Sequence, residues 1–175
     1  MANPVHLDLH RLGEVSRLSP TVLACFAEAA SVMLHLHHAA PPPSTPGVLV
    51  QNAEAVPLSL DWPEPTSQQR ESHQNEKDAP EDGACAVAIA AVHALGYTVV
   101  RRTRQGSGCD YLMVPHGEPE NDFRKLEVSG MGAGHLPTRL KEKVAQGQGG
   151  DLQRPGMAVV VGFKAARILV EEWDE

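Results

Sequence analysis

Apolar residues recur at helical spacing in two segments of the chain. The first segment begins with Ser19 and Pro20, a favoured helix cap followed by a favoured first helical residue, and its apolar positions run through residues 22–34. The second segment, residues 81–95, carries an apolar face and ends at Gly96, a residue type that commonly stops helices. We expect two helices, the second of them buried.

The chain between these two helices is partly extended and partly polar. Prolines at positions 41–43 should end the first helix, because proline cannot continue a helix and restricts the residue before it. Extended runs at 48–51 and 56–62 predict a hairpin. The polar stretch that follows contains almost no aliphatic side chains. Its middle, residues 68–77, forms either a solvated helix or a loose linker, and Pro80 should break or kink whatever precedes it.

After Gly96 the pattern predicts strands at 97–102, 109–114 and 124–129, a helix at 137–145, a strand at 157–163 and an edge strand at 168–171. This order predicts an α/β (α+β) protein with a mixed sheet of four or more strands flanked by helices. Residues 81–175 are expected to form the core, with residues 1–80 packed on it as an N-terminal helix, hairpin and polar linker in one compact domain. Six strand residues should be buried against the second helix: Val99, Leu112, Leu126, Val128, Val159 and Val161.

Composition and charge narrow the choice of partners. The 175 residues are 42% hydrophobic and 21% charged, as expected for one globular domain. The net charge of −7 argues against nucleic acid, whose binding depends on Lys and Arg. However, residues 101–167 hold 11 Lys or Arg and 7 Asp or Glu, so the acidity lies elsewhere. Nucleic acid therefore stays a candidate partner, and an ordinary solvated surface is the alternative.

The sequence gives no support to a membrane partner or to secretion. No apolar run reaches the roughly 20 residues that a membrane-spanning helix requires, and the first residues lack the basic patch and continuous apolar core of a secretory signal. Three cysteines, an odd number without a close pair, are expected to be reduced. We expect a cytoplasmic protein that does not enter a membrane; its oligomeric state is not predicted.

Two carboxylates are predicted to meet where two neighbouring strands pair. Asp110 follows a glycine turn at the start of one strand, and Glu127 lies in the next strand on the same face as Lys125 and Ser129. Pairing as a meander would bring Asp110 and Glu127 together, with Glu81 as a third acid, in a set that suits Mg²⁺ or Mn²⁺. The alternative is that Asp110 is a turn residue and Glu127 a solvated strand residue.

The motifs GSGCDY at 106–111 and LEVSG at 126–130, followed by a basic helix and a valine-rich strand, resemble the PD-(D/E)XK nuclease superfamily, which has a restriction-endonuclease-like fold. The resemblance covers residues 81–163, and the same signatures are similar to those of an uncharacterised bacterial group. It implies that Asp110 is the motif aspartate, Glu127 the motif acid and Glu81 an added acid. It also implies metal-dependent phosphodiester hydrolysis of nucleic acid.

The chain departs from the superfamily at the motif lysine, because Ser129 stands two residues after Glu127 and serine supplies no positive charge. Lys125 on the same strand face and Lys141 or Lys143 on the next helix are candidate replacements. An active enzyme is one interpretation. A catalytically inactive module of the same fold, which binds or assembles with a protein partner, is the other.

Four basic residues are candidates to position a nucleic-acid backbone: Arg101, Arg102, Arg139 and Lys143. A solvated face is the alternative for these residues, and the scarcity of aromatic residues gives little support to sequence-specific reading of single strands. Histidines 6 and 10, and 35, 37 and 38, are spaced for a helical zinc site but lack Cys or Glu companions. The glycine-rich stretch 130–134 is expected to be a flexible connection.

Overall fold

The computed structural model of the protein describes residues 4–39, 41–75, 77–119 and 121–174. The described residues include eight strands in one sheet: β1 (Val5–Asp8), β2 (Ser44–Gln51), β3 (Glu54–Asp61), β4 (Tyr97–Arg102), β5 (Tyr111–Pro115), β6 (Arg124–Met131), β7 (Gly156–Gly162) and β8 (Arg167–Trp173). The helices are α1 (Leu12–Val15), α2 (Pro20–His38), α3 (Ser67–Ser72), α4 (Asp78–Ala94) and α5 (Leu136–Gln148). The α+β class and the mixed sheet of four or more strands are confirmed.

The sheet joins both halves of the chain in the order β1-β3-β2-β8-β7-β6-β5-β4. The pairs β1–β3, β2–β8 and β6–β7 are parallel, and the other neighbours are antiparallel. Strands β4, β5 and β6 form the predicted meander, and α5 crosses over to the parallel strand β7. This connection places α5 beside the strand that carries Glu127.

The large hydrophobic core lies between the sheet and the pair of helices α2 and α4. Ser19 caps α2, and Gly96 follows α4 with a positive φ of 95°, so both predicted helix ends are confirmed. The six strand residues predicted to be buried are at most 6% exposed, and five of them belong to this core. The prediction was wrong for Leu112, which is buried on the opposite face because its neighbours Tyr111 and Met113 face the core. On the opposite face, α5 packs on β7 and β8 through a small cluster that includes Leu136 and Leu169.

Two further predictions were wrong, one about the place of a strand in the sheet and one about the effect of a proline on a helix. The run at 168–171 is not an edge strand, because β8 lies inside the sheet between β7 and β2. Pro80 does not break a helix: α4 already starts at Asp78, and the first turn of a helix has no internal acceptor for the N–H that proline lacks. Within the predicted 68–77 segment, the helix α3 ends at Ser72. The described residues contain no helix long and apolar enough to cross a membrane.

Candidate functional site

Three polar side chains of β6 face α5 and form a row of contacts with it. Lys125, Glu127 and Ser129 alternate with buried Leu126 and Val128, as the strand pattern predicts. Their partners on α5 are Gly147, Lys143 and Arg139, which are four residues apart. Two residues of a strand advance about 6.6 Å and four residues of a helix about 6 Å, so the three contacts stay in register along the strand and the helix.

Lys143 is the cation at the centre of this row. Its Nζ donates a hydrogen bond of 2.9 Å to Glu127 Oε2 and lies 3.7 Å from Asp110 Oδ2. The Glu127 side chain is 0% exposed, whereas that of Asp110 is 39% exposed. The predicted convergence of Asp110 and Glu127 is therefore present, and a lysine ammonium lies between them.

Asp110 lies just before the start of β5 and is held there by hydrogen bonds to β6. Its backbone N–H donates to Leu126 O at 3.1 Å, and its Oδ2 accepts from Val128 N–H at 2.9 Å. Since β5 begins at Tyr111, the Asp110 side chain extends the contact between the two strands by accepting a hydrogen bond from the backbone of β6. The preceding turn includes Gly108, whose φ of 76° and close contact with the backbone of Gly149 suit only glycine.

Burial sets the protonation behaviour of Glu127. Removal from water, with the nearby Asp110 charge, raises the pKa of Glu127 to about 7, although Lys143 acts in the opposite direction. Glu127 Oε1 is buried and has no hydrogen-bond partner among the described residues. A buried carboxylate oxygen without a partner is costly unless it carries a proton or meets a cation.

Ser129 belongs to a second cluster beside this pair. Its Oγ donates to Glu81 Oε1 at 3.1 Å and accepts from Arg139 Nε at 2.9 Å. Arg139 also lies 3.6 Å from Glu81 and 3.1 Å from Glu142, so two carboxylates already neutralise its charge. Gly130 lies directly against the backbone of Pro80, and this close approach brings the start of α4, with Glu81, onto β6.

The other two lysines proposed for the site have different surroundings. Lys125 is buried, and its Nζ donates to the carbonyl oxygens of Gly147, Gly149 at 3.1 Å and Leu152 at 3.0 Å. These bonds join the end of α5 and the following loop to β6. Lys141 is exposed on α5, two positions away from the buried Lys143. Of the three candidate lysines, the structure brings Lys143 to the carboxylates.

Arg101 and Arg102 point to opposite faces of the sheet. The register shifts between Val99 and Arg101, so that Arg101 pairs with Leu112 and Arg102 with Tyr111. The Arg101 guanidinium lies over the Phe123 ring, 4.5 Å from its centre, and that of Arg102 lies 5.9 Å from the centre of the Tyr111 ring. Tyr111 belongs to the core on the α4 face. A ligand bound on one face of the sheet therefore cannot be contacted by both arginines from that face.

The oxygen donors of Asp110 and Glu127 are the kind that Mg²⁺ and Mn²⁺ prefer. The described residues contain no group of three or more His, Cys, Asp or Glu side chains that could hold a metal ion. Glu81 is engaged by Ser129 and Arg139, so the predicted third acid is directed toward those two residues. The described part of the chain also assembles no zinc site from the histidines at 6, 10, 35, 37 and 38.

Comparison with known proteins gives no further identification: no family model, curated protein or solved structure matches the chain.

Sequence reasoning offered Lys143 both as a phosphate contact and as one of three candidate replacements for the motif lysine, and it did not choose among the three lysines. A signal was present, because Arg139 and Lys143 are four residues apart and share one face of a helix. On β6, Glu127 and Ser129 share a face as well. Knowing that α5 runs along that face would have been enough to pair the residues.

Proposed function

We propose that this protein is a PD-(D/E)XK-like nuclease that hydrolyses phosphodiester bonds in nucleic acid with Mg²⁺ or Mn²⁺. The observation that carries the proposal is the convergence of Asp110, Glu127 and Lys143 at one point. Two acids and one lysine are the groups that the superfamily resemblance implies. Here Lys143 of α5 takes the role of the lysine that Ser129 replaces in the motif.

Asp110 and Glu127 would hold the metal ion. Their fit to an ion is supported by Glu127 Oε1, a buried oxygen without a partner among the described residues, and by the partly exposed Asp110 carboxylate. When bound, the ion lowers the pKa of a water molecule and neutralises charge that develops on the phosphate. Glu81 would join these ligands only by giving up its contacts with Ser129 and Arg139.

The protein's own groups then position the reactants. Lys143 Nζ, held by Glu127, presents an N–H donor beside the open side of Asp110, where it orients an attacking water or a phosphate oxygen. Asp110 is fixed by the Val128 N–H, which donates to its carboxylate, and by its own N–H, which donates to Leu126 O, so it needs no rearrangement to act in the site. Burial of Glu127 keeps bulk water away from the inner side of the site.

A specific observation favours a second candidate, the inactive binding or assembly module. Lys143 already forms ion pairs with both carboxylates, so the pair has a cation without a metal. Arg139 is likewise occupied by Ser129, Glu81 and Glu142. In that case the row of contacts between β6 and α5 is a structural connection, and the protein binds its partner elsewhere.

Cleavage assays with one matched pair of variants separate the two candidates. Single- and double-stranded DNA and RNA are incubated with the protein, with and without Mn²⁺. The proposal expects metal-dependent cleavage of at least one substrate, and a loss of about 100-fold or more in Lys143→Arg, because the larger guanidinium cannot occupy the ammonium position. Lys141→Arg, on the exposed side of α5, should cleave like the wild type. Absence of cleavage with every substrate would favour the inactive module.

A further inference from the structure

A β-bulge in β4 turns one arginine toward the face of the sheet that carries the acids. Val99 pairs with Met113, and the next paired residue is Arg101 with Leu112, which leaves Val100 as the extra residue. Without the extra residue, Arg101 would share the core-facing side of Val99. The bulge places it on the opposite side, the face on which Asp110 meets Lys143.

The Arg101 guanidinium lies over an aromatic ring at this position. It lies 4.5 Å from the centre of the half-buried Phe123 ring, and the arginine itself is exposed. A cation over an aromatic face is attracted to it, so the Phe123 ring supports the guanidinium on one side. The exposed part of the planar guanidinium is left for a further planar group.

Arg101 is also close to Asp110 along the strands. Arg101 pairs with Leu112, and Asp110 precedes Leu112 by two residues, so their side chains follow one another on the same face. A strand of nucleic acid that reaches Asp110 from the β4 side must pass Arg101. This edge of the sheet differs from the α5 side, where Arg139 is neutralised by carboxylates.

We propose that Arg101 and Phe123 form a stacking site for one unpaired nucleobase, so that the substrate of the proposed nuclease has a single-stranded segment. The inference rests on the proposed function for its substrate class. An unpaired base offers a flat surface to an arginine plane, whereas a base inside a duplex is covered on both sides by its neighbours. Since every base has such a surface, the site is tolerant of sequence.

The test measures binding without divalent cations, so that cleavage plays no part in the result. The probes are a fluorescent single-stranded oligothymidylate, an abasic oligonucleotide of the same length and a duplex. The wild type should bind oligothymidylate more tightly than either of the others. Phe123→Leu keeps an apolar side chain over the sheet but removes the ring, and it should weaken oligothymidylate binding about tenfold while leaving abasic binding unchanged.

Arg101→Lys and Arg102→Lys are a matched pair, because both retain the charge and lose the plane. Arg101→Lys should weaken oligothymidylate binding by about as much as Phe123→Leu, and Arg102→Lys should change it less than twofold. Phe123→Trp, which offers a larger ring, should bind at least as well as the wild type and guards against a folding defect in Phe123→Leu.

Three results would overturn the stacking site: no preference for oligothymidylate over the abasic probe, equal effects of Arg101→Lys and Arg102→Lys, or full affinity in Phe123→Leu. The fate of the proposed function is read separately from Mn²⁺-dependent cleavage. Base-dependent binding without any cleavage would support the stacking site and count against the nuclease. Cleavage without base-dependent binding would support the nuclease and overturn the stacking site.

Discussion

Lys143 of α5 and Glu127 of β6 form a buried ion pair with a distance of 2.9 Å between Nζ and Oε2. Both side chains are buried, since Glu127 is 0% and Lys143 9% exposed. A buried charge that loses its partner is strongly destabilising, more so than the intact pair is stabilising. The pair thus ties α5 to the sheet at the point where the proposed chemistry takes place.

Removing the lysine charge should lower stability in a pH-dependent way. Lys143→Met leaves Glu127 and Asp110 without their shared cation, and we expect a loss of about 3 kcal/mol at pH 8. At pH 5 the loss should be smaller, because Glu127 then carries a proton. Urea denaturation at both pH values measures the difference. Lys141→Met is the control and should stay within about 0.5 kcal/mol of the wild type.

Glu127 itself should make the protein less stable as the pH rises. Its pKa is raised from 4.5 to about 7 in the folded state, so the folded protein binds this proton more tightly than the unfolded chain. The contribution of Glu127 is fully present below about pH 4.5 and is lost as the pH rises through about 7, by an amount on the order of 3 kcal/mol.

Glu127→Gln removes this titration. Chemical denaturation gives the unfolding free energy of each protein. The value for the wild type, relative to that for Glu127→Gln, should fall as the pH rises from 4.5 to 7 and should then stay constant. A difference that stays constant over this range would mean that Glu127 titrates normally.

Added metal should stabilise the fold through the same carboxylates. A ligand that binds only the folded state raises the melting temperature, and Mn²⁺ held by Asp110 and Glu127 should do so. Asp110→Asn and Glu127→Gln should each remove the response, whereas substitution of the exposed Glu172 should retain it. A melting temperature that responds to Mn²⁺ equally in all these variants would locate the ion elsewhere.

Lys125 should be important for stability rather than for chemistry. Its ammonium donates to three carbonyl oxygens around the end of α5, and Lys125→Met would leave those acceptors without their donor. We expect a loss of about 1–3 kcal/mol in unfolding free energy. A variant as stable as the wild type would show that these bonds contribute little.

Local patterns were sufficient to predict most elements. Ser19 with Pro20, and Gly96 after an apolar helix, define helix ends by chemistry within a few residues. The alternation along β6 also predicted which of its side chains share a face. The place of β8 inside the sheet depends on its pairing with β2, more than 100 residues away in sequence, and no local pattern encodes that pairing.

The candidate site was predictable only in part, because some of its contacts join parts of the chain that local patterns do not relate. Asp110 and Glu127 lie on consecutive strands, so a meander was enough to bring them together. The burial of Glu127 and its contact with Lys143 depend on where α5 lies, which is set by packing on β7 and β8. The opposite orientations of Arg101 and Arg102 depend on a bulge, which the strand pattern did not reveal.

The most direct test of the central claim is the rate of Mn²⁺-dependent cleavage of single-stranded DNA and RNA by the wild type and by Asp110→Asn. This substitution keeps an oxygen that accepts the Val128 N–H but removes the metal-binding charge, so the fold should be preserved. The account predicts cleavage by the wild type and a loss of about 100-fold or more in Asp110→Asn. Equal cleavage by both proteins, or cleavage by neither, would contradict it.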